Sequence, residues 1–477
     1  MVPADALEPA GSPEPAVSLE PAESDAPTLE DRTWVRHATL FLAGQTVSLL
    51  GSSLVQYAVL WYLTLTTKDG TVLALAIVFG FLPQALVSIF GGVWADRHNR
   101  KYLIMGADAC IAVATLALAL FMMSGVTSVW LIFAVMAVRS VGAGIQTPAV
   151  GAALPQIVPA EKLLRVNGIN GTIQSAMMLV APALAAVLYA NVDLYSILFI
   201  DVVTAVIGIG ILALVPLRAV RRSGERVGYF DDLRGGVDYI RSHNYVKWVL
   251  YLFGGLMIVV SAPAMLTPLM VVRSFGEEVW KLTALEFAFS IGMLIAGGAI
   301  AVWGDRFERT TLIVWSTVIL AALTVGLGLS PVLWVFLLMM FLVGIAVPIF
   351  STPIFTVLQE SVDPERLGRV LGFVGIVSAV GMPLGMLVFG PLANVISVEA
   401  VLVIAGVLMF GIAAFAFLTP SGREALAYVK AHRPGTEPEP GEAAASLDEA
   451  EDARTAEASA VTEGAAVTPE SQSPQPS

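Results

Sequence analysis

The chain has 477 residues, of which 57% are hydrophobic and only 13% charged, about half the charged share of an ordinary soluble domain. That composition excludes a soluble globular protein and makes lipid the solvent for most of the chain. The net charge of −12 belongs to the ends: of the 38 acidic residues, eight lie in 1–31 and ten in 431–477, leaving 20 against 23 basic residues in the body. The acidity therefore says nothing about a basic partner.

In chain order, residues 1–32 come first, rich in Pro, Ala, Ser and Glu, and read as a disordered acidic tail. They lack a basic start before a short apolar core, so no cleaved leader is expected and the first spanning segment directs insertion. Twelve apolar runs follow, near 34–64, 71–95, 102–124, 127–150, 165–190, 193–216, 246–272, 281–303, 310–329, 331–357, 369–393 and 397–419. Each is long enough to cross a bilayer as a helix, and none alternates polar and apolar as barrel strands do. One long connection, 217–245, parts a six-helix unit at 33–216 from another at 246–420. Residues 421–477 form a second disordered acidic tail. The single cysteine, Cys110, excludes an internal disulfide, and His37, His98, His243 and His432 have no ligand spacing. No metal and no cofactor are implied.

Lys and Arg fix the orientation. With the N-terminus inside, the cytoplasmic connections carry sixteen of them and the outer connections only Lys68, Arg273 and Lys281. One missed span would invert the second half and destroy that bias. Both termini are expected in the cytoplasm.

The chain repeats itself. "GGVWADRHNRKY" at 91–102 returns as "AVWGDRFERTTL" at 300–311, each between the second and third spans of its half. "VPAEKLLR" at 158–165 returns as "VDPERLGR" at 362–369 between the fourth and fifth. Two parallel six-span halves suit a transporter with a mid-membrane site between them.

These residues carry a family resemblance. Gly92, Asp96, Arg97, Arg100 and Lys101 match the loop motif of the major facilitator superfamily; the second copy keeps Asp305, Arg306 and Arg309 but has Ala301 in place of the glycine. "RSVGAG", with Arg139, resembles the basic motif of the fourth span. The chain also resembles macrolide-efflux proteins of the drug/proton antiporter branch, through "GQTVSLLGSSLVQYAVLWYL" (44–63), "GFLPQALVSIFGGVWADRHNRK" (80–101), "VRSVGAGIQTPAVGAALPQIVP" (138–159) and "FIDVVTA" (199–205). In the fifth span "APALAA" (181–186) keeps Pro182 but has alanines where many drug antiporters have glycines. The resemblance implies an all-α fold of twelve transmembrane helices in two six-helix bundles, in a bacterial plasma membrane. It also implies that the loop cluster latches the cytoplasmic side while the outside is open, with Arg97 and Arg100 reaching the opposite half. Plain positive-inside topology is the alternative, although topology alone needs no Asp96.

Four ionisable residues fall inside spans: Asp108, Arg139, Asp201 and Glu286. A charge at the bilayer centre costs about 2.5–3.5 kcal/mol on insertion scales, so each needs a reason. Arg139 either balances charge in a proton relay or cavity, or makes a structural pair; Asp201 is a plausible partner or helix glue. Asp108, two turns inside the third span, serves the relay or the loop cluster. Glu286 either snorkels outward or accepts protons from outside. A carboxylate that moves between an apolar site and an arginine's side could exchange a proton against a substrate.

Gln45, Ser48, Ser52 and Gln56 share one face of the first helix, which lines a cavity or hydrogen-bonds between helices. Gln146 and Gln174 add amides from the fourth and fifth spans. Tyr57, Trp61 and Tyr62 either stack on a ligand or anchor the helix at the interface. No phosphate-binding Gly-rich loop and no hydrolase or metalloprotease string appears, so an enzyme is not expected. The reading is a proton-coupled exporter of macrolide-like or other amphipathic drugs, monomeric and without nucleic-acid partners. The alternatives are a siderophore or metabolite exporter on the same scaffold, an importer, or a non-transporting sensor.

Overall fold

The computed structural model describes residues 29–217, 239–362, 364–420, 422–424 and 426, without the side chains of 29–32, 92–93, 95–97, 305, 361, 364–365 and 368–369. Twelve spanning helices account for nearly all of it, and among the described residues there is no strand. They are α1 (Leu29–Thr67), α2 (Gly70–Arg97), α3 (Arg100–Met123), α4 (Val129–Ile157), α5 (Leu163–Asn191), α6 (Leu194–Ala213), α7 (Asn244–Met265), α8 (Val279–Trp303), α9 (Arg309–Gly328), α10 (Leu333–Ser361), α11 (Pro364–Val395) and α12 (Val398–Leu418). A short turn of helix, Thr267–Met270, and a π-helical turn, Val271–Phe275, extend α7. The predicted spans all appear as helices, with edges shifted by several residues where caps rather than hydropathy decide the ends. Asp69 caps α2 by accepting from Thr71 N at 2.7 Å, and Asn99 caps α3 by accepting from Lys101 N at 3.0 Å.

The repeat seen in the sequence is a repeat of contacts. In the first half α1 meets α5 and α6, α4 meets α2 and α3, and α3 meets α6; in the second half α7 meets α11 and α12, α10 meets α8 and α9, and α9 meets α12. Among the described residues two long-helix contacts join the halves, α2 with α11 and α5 with α8, related by the same symmetry, and α1 also touches the turn Thr267–Met270. In lipid there is no hydrophobic drive between helices, so close approach of small residues does the work. At α2–α11 a Cβ on Gly70 would lie 2.2 Å from the Gly390 carbonyl oxygen. No other residue lets these backbones meet.

Proline opens polar positions inside the helices. Pro182 has no N–H, so the Met178 carbonyl loses its partner within α5. Ser290 Oγ of α8 donates to that carbonyl at 3.4 Å, across the two halves. In α2, the amide after Pro83 donates to Ser140 Oγ of α4, at 2.8 Å from Gln84 N. Broken helices are tolerated at membrane depth because neighbours satisfy the freed groups.

Candidate functional site

A cavity of about 300 Å³ lies inside the first half, walled by α1, α2, α3 and α4 with Leu198 of α6. Its polar wall is Ser52, Ser53, Gln56, Gln84, Thr115, Arg139, Ser140, Gln146 and Thr147; Leu60, Phe81 and Met136 are among its apolar neighbours. Of the residues expected to line a cavity, Ser52, Gln56 and Gln146 do so. Ser48 is buried and turns to Asp108 instead. Gln45 and Gln174 are not in this wall, and Gln174 is exposed on α5.

The cavity is backed by a buried charge network. Arg139 of α4 pairs through Nη1 with Asp201 Oδ2 of α6 and also donates to Thr115 Oγ1 of α3. Thr115 Oγ1 lies 3.2 Å from Asp201 Oδ2, and Ser52 Oγ donates to Asp201 Oδ1 at 3.4 Å. Asp201 is only 1% exposed. Four helices therefore meet on one carboxylate. Gly51 makes room for it, since a Cβ there would sit 1.9 Å from Thr204 Oγ1 and 2.9 Å from Asp201 Oδ1. Nothing in the sequence marked Gly51, because the need for it arises only where α1 crosses α6.

Asp108, 3% exposed, forms a second centre. Its Oδ1 accepts from Gln146 Nε2 at 2.6 Å and from Ser48 Oγ at 3.2 Å. Asp108 is thus held by α1 and α4. Among the described residues no cation pairs with it, in contrast to Asp201. Glu286 lies apart on α8, within electrostatic reach of Tyr57 on α1, and has no ion-pair or hydrogen-bond partner among the described residues. Tyr57 and Trp61 rings sit 5.9 Å apart, and neither lines the cavity.

The described side chains of the loop clusters make contacts inside their own halves. Arg100 Nη1 donates to the Ala152 carbonyl of α4 at 2.7 Å, within its own half. Lys101 Nζ donates to the carbonyls of Ala213 and Val215 at 2.6 and 2.9 Å, closing the C-terminal end of α6. Lys101 thereby satisfies carbonyls at the C-terminal end of α6, where a cation is favoured. Arg309 likewise pairs with Glu360 of α10 at 2.7 Å inside the second half, and Arg306 is exposed at the turn Gly304–Arg306. Gly92, Asp96, Arg97 and Asp305 lie outside the described side chains.

A latch does appear, on the opposite face. Arg273, after α7, donates from Nε and Nη2 to the Lys68 carbonyl at 3.1 and 2.6 Å, and from Nη2 to Asn394 Oδ1 at 2.9 Å. Asn394, at the end of α11, donates to Asp69 Oδ1 at 2.6 Å and accepts from Gly70 N at 2.9 Å. Lys68 also pairs with Glu277. Lys68 holds a left-handed backbone, φ 50°, which turns its carbonyl into this network. Each contact crosses from one half to the other, except Arg273 to Asn394. In the sequence Lys68 and Arg273 count only as outer charges, and their separation of 205 residues hides the contact.

Known proteins resemble this chain along most of its length. Macrolide efflux protein A of Streptococcus pyogenes is 34% identical over 380 residues, 78% of this chain and 93% of that protein. Macrolide efflux protein A of Enterococcus faecalis is 33% identical over 320 residues, 65% of this chain and 97% of that protein. In fold, the chain matches an inward-facing, occupied bacterial homologue of the lysosomal transporter Spinster with TM-score 0.63 at 14% identity, covering 85% of this chain and 99% of that one. A bacterial homologue of the iron transporter ferroportin, also inward-facing, gives TM-score 0.61 at 18% identity over 80% and 99% of the two chains. The family model of transmembrane secretion effectors matches residues 34–438. With twelve helices in two symmetric sets of six, the chain is a multi-pass membrane transporter that belongs to the transmembrane secretion effector family of the major facilitator superfamily.

Proposed function

We propose that the chain exports macrolide-like or other amphipathic drugs from the cytoplasm by alternating access, in exchange for protons. The observation that carries this reading is the amide-rich cavity backed by buried charge at Arg139, Asp201 and Asp108. A cavity that mixes apolar walls with Gln56, Gln84 and Gln146 suits an amphipathic molecule that carries hydroxyl and ether groups. Intramembrane carboxylates mark proton routes in transporters. The identity to macrolide-efflux proteins supports the substrate class. On the Lys and Arg distribution, both termini and the long central connection 217–245 are cytoplasmic; the bacterial relatives support a bacterial plasma membrane, and in this reading the working unit is one chain of two halves. The latched face then points outward, so the conformation is closed to the outside and suited to loading from within.

Drug-sensitive cells expressing the chain test this. Wild type should lower erythromycin accumulation, a protonophore should abolish the difference, and Arg139→Ala should fail at equal membrane abundance. Unchanged accumulation by wild type would move the substrate to siderophores or other metabolites. Lowered accumulation without a proton gradient would remove the antiport.

A further inference from the structure

We infer that Gln146 is a switch whose amide reports the protonation of Asp108 to the substrate cavity. The inference rests on the proton-antiport reading above and deepens it by naming the carboxylate that exchanges the proton and the group that couples it to the drug.

Two carboxylates are buried in the first half, and their surroundings divide the work. Asp201 is ion-paired with Arg139 and held by Ser52 and Thr115. Protonating it would break that pair and leave a buried guanidinium unpaired, at high cost. Among the described residues Asp108 is held by neutral donors alone, Ser48 and Gln146. It can gain or lose a proton without breaking an ion pair. The charged groups facing it from neighbouring helices are Asp201 of α6 and, bound to that carboxylate, Arg139 of α4. On its own helix, Arg100 and Lys101 are turned to backbone carbonyls of Ala152, Ala213 and Val215.

Asp108 does not line the cavity, and neither does Ser48; Gln146 does both jobs, lining the wall and holding Asp108. An amide has a donor end and an acceptor end. With Asp108 ionised, the NH₂ end is committed to the carboxylate at 2.6 Å, and the carbonyl end is left for the cavity. It accepts from a hydroxyl or ammonium of the substrate. With Asp108 protonated, the acid's own O–H seeks an acceptor, the amide turns to supply its carbonyl, and the NH₂ end faces the cavity. The acceptor that held the substrate is then gone. Substrate and proton thus exclude each other: loading substrate sends the Asp108 proton to water, and a new proton at Asp108 releases the substrate. That is the sign an antiporter needs. The ligand class is a molecule that offers a hydrogen-bond donor to Gln146.

The test uses the full chain in lipid nanodiscs. Erythromycin affinity in wild type should fall about tenfold per pH unit on the acid side, the slope for one linked proton, with proton release on binding seen by a pH-indicator dye. Asp108→Asn and Gln146→Met, which keep side-chain length, should flatten the slope and release nothing. Arg139 and Asp201 stay intact in both, so folding is checked by thermal melting. Erythromycin affinity that keeps its slope in either variant would overturn the inference while leaving the exporter standing. A drug-free measurement runs alongside. Acidification should raise a carboxylic-acid C=O band in the infrared difference spectrum that disappears in Asp108→Asn and shifts in Gln146→Met. If wild type binds no erythromycin, the macrolide reading fails, and this band still decides: a band insensitive to both substitutions overturns the switch.

Discussion

Asn394 Nδ2 donates to Asp69 Oδ1 at 2.6 Å, joining the end of α11 to the cap of α2. These residues are 325 positions apart in the chain, and their contact ties one half of the repeat to the other. The same amide also donates to Thr71 Oγ1 and accepts from Gly70 N and from Arg273, so one side chain gathers four contacts of the latched face.

Asn394→Ala should loosen that face. It removes the donations to Asp69 and Thr71 and the acceptance from Gly70. At about 1 kcal/mol for each of two net bonds, the balance between closed and open shifts roughly 5- to 30-fold. Spin labels placed on the α1–α2 and α11–α12 connections would report a larger open population. An unchanged distance distribution would show that the contact is incidental.

The latch should also be insensitive to pH across the neutral range. Burial works to raise the Asp69 carboxyl, but donation from Asn394, from the amides of Val72 and Thr71 and from the Thr71 hydroxyl outweighs it and holds the group below the usual carboxylate range. A depressed carboxylate stabilises the state that depresses it above its ordinary pKa of about 3.9, and that stability is lost as pH falls through the lowered value. The same labels should therefore show no opening between about pH 5 and 8, and opening only below about pH 4. Opening at pH 6 would place the sensor elsewhere.

Gly390→Leu should stop closure of this face altogether. A Cβ at Gly390 already falls 2.5 Å from both Ala74 Cβ and the Gly70 carbonyl oxygen. Backbone cannot give way as a side chain can, so the halves must part. The expected result is normal membrane abundance with drug accumulation at the level of cells lacking the protein. Normal export in this variant would mean that α2 and α11 need not meet.

Arg139→Gln and Asp201→Asn should each destabilise strongly, because each leaves its partner buried and uncompensated. Breaking a buried pair this way costs about 3–5 kcal/mol. The double variant should recover much of that loss, which thermal melting of the purified protein would reveal as strong coupling. Additive losses would show that the two charges act independently.

Lys101→Ala tests the cytoplasmic cluster. The ammonium closes the Ala213 and Val215 carbonyls of its own half, an effect worth about 0.3–1 kcal/mol at a helix end. A small fall in melting temperature is expected, with label distances on the latched face unchanged. A large change there would give Lys101 a gating role that its contacts do not indicate.

Much was legible in the sequence because lipid enforces it locally. Every backbone group must be satisfied within its own segment, so apolar length alone marked twelve helices, and the duplicated motif marked the repeat. The four intramembrane charges stood out for the same reason: each is costly unless partnered. Which partner each took was decided only in three dimensions. Arg139 found Asp201 and not Asp108 because Gly51 lets α6 close on α1. Ser48 left the cavity wall for Asp108, although it shares a helix face with Ser52. The latch formed from Lys68, Asp69, Arg273 and Asn394, four residues with no common motif. Helix formation depends on neighbours along the chain, whereas these contacts depend on how two halves meet, and helical periodicity carries no information about that.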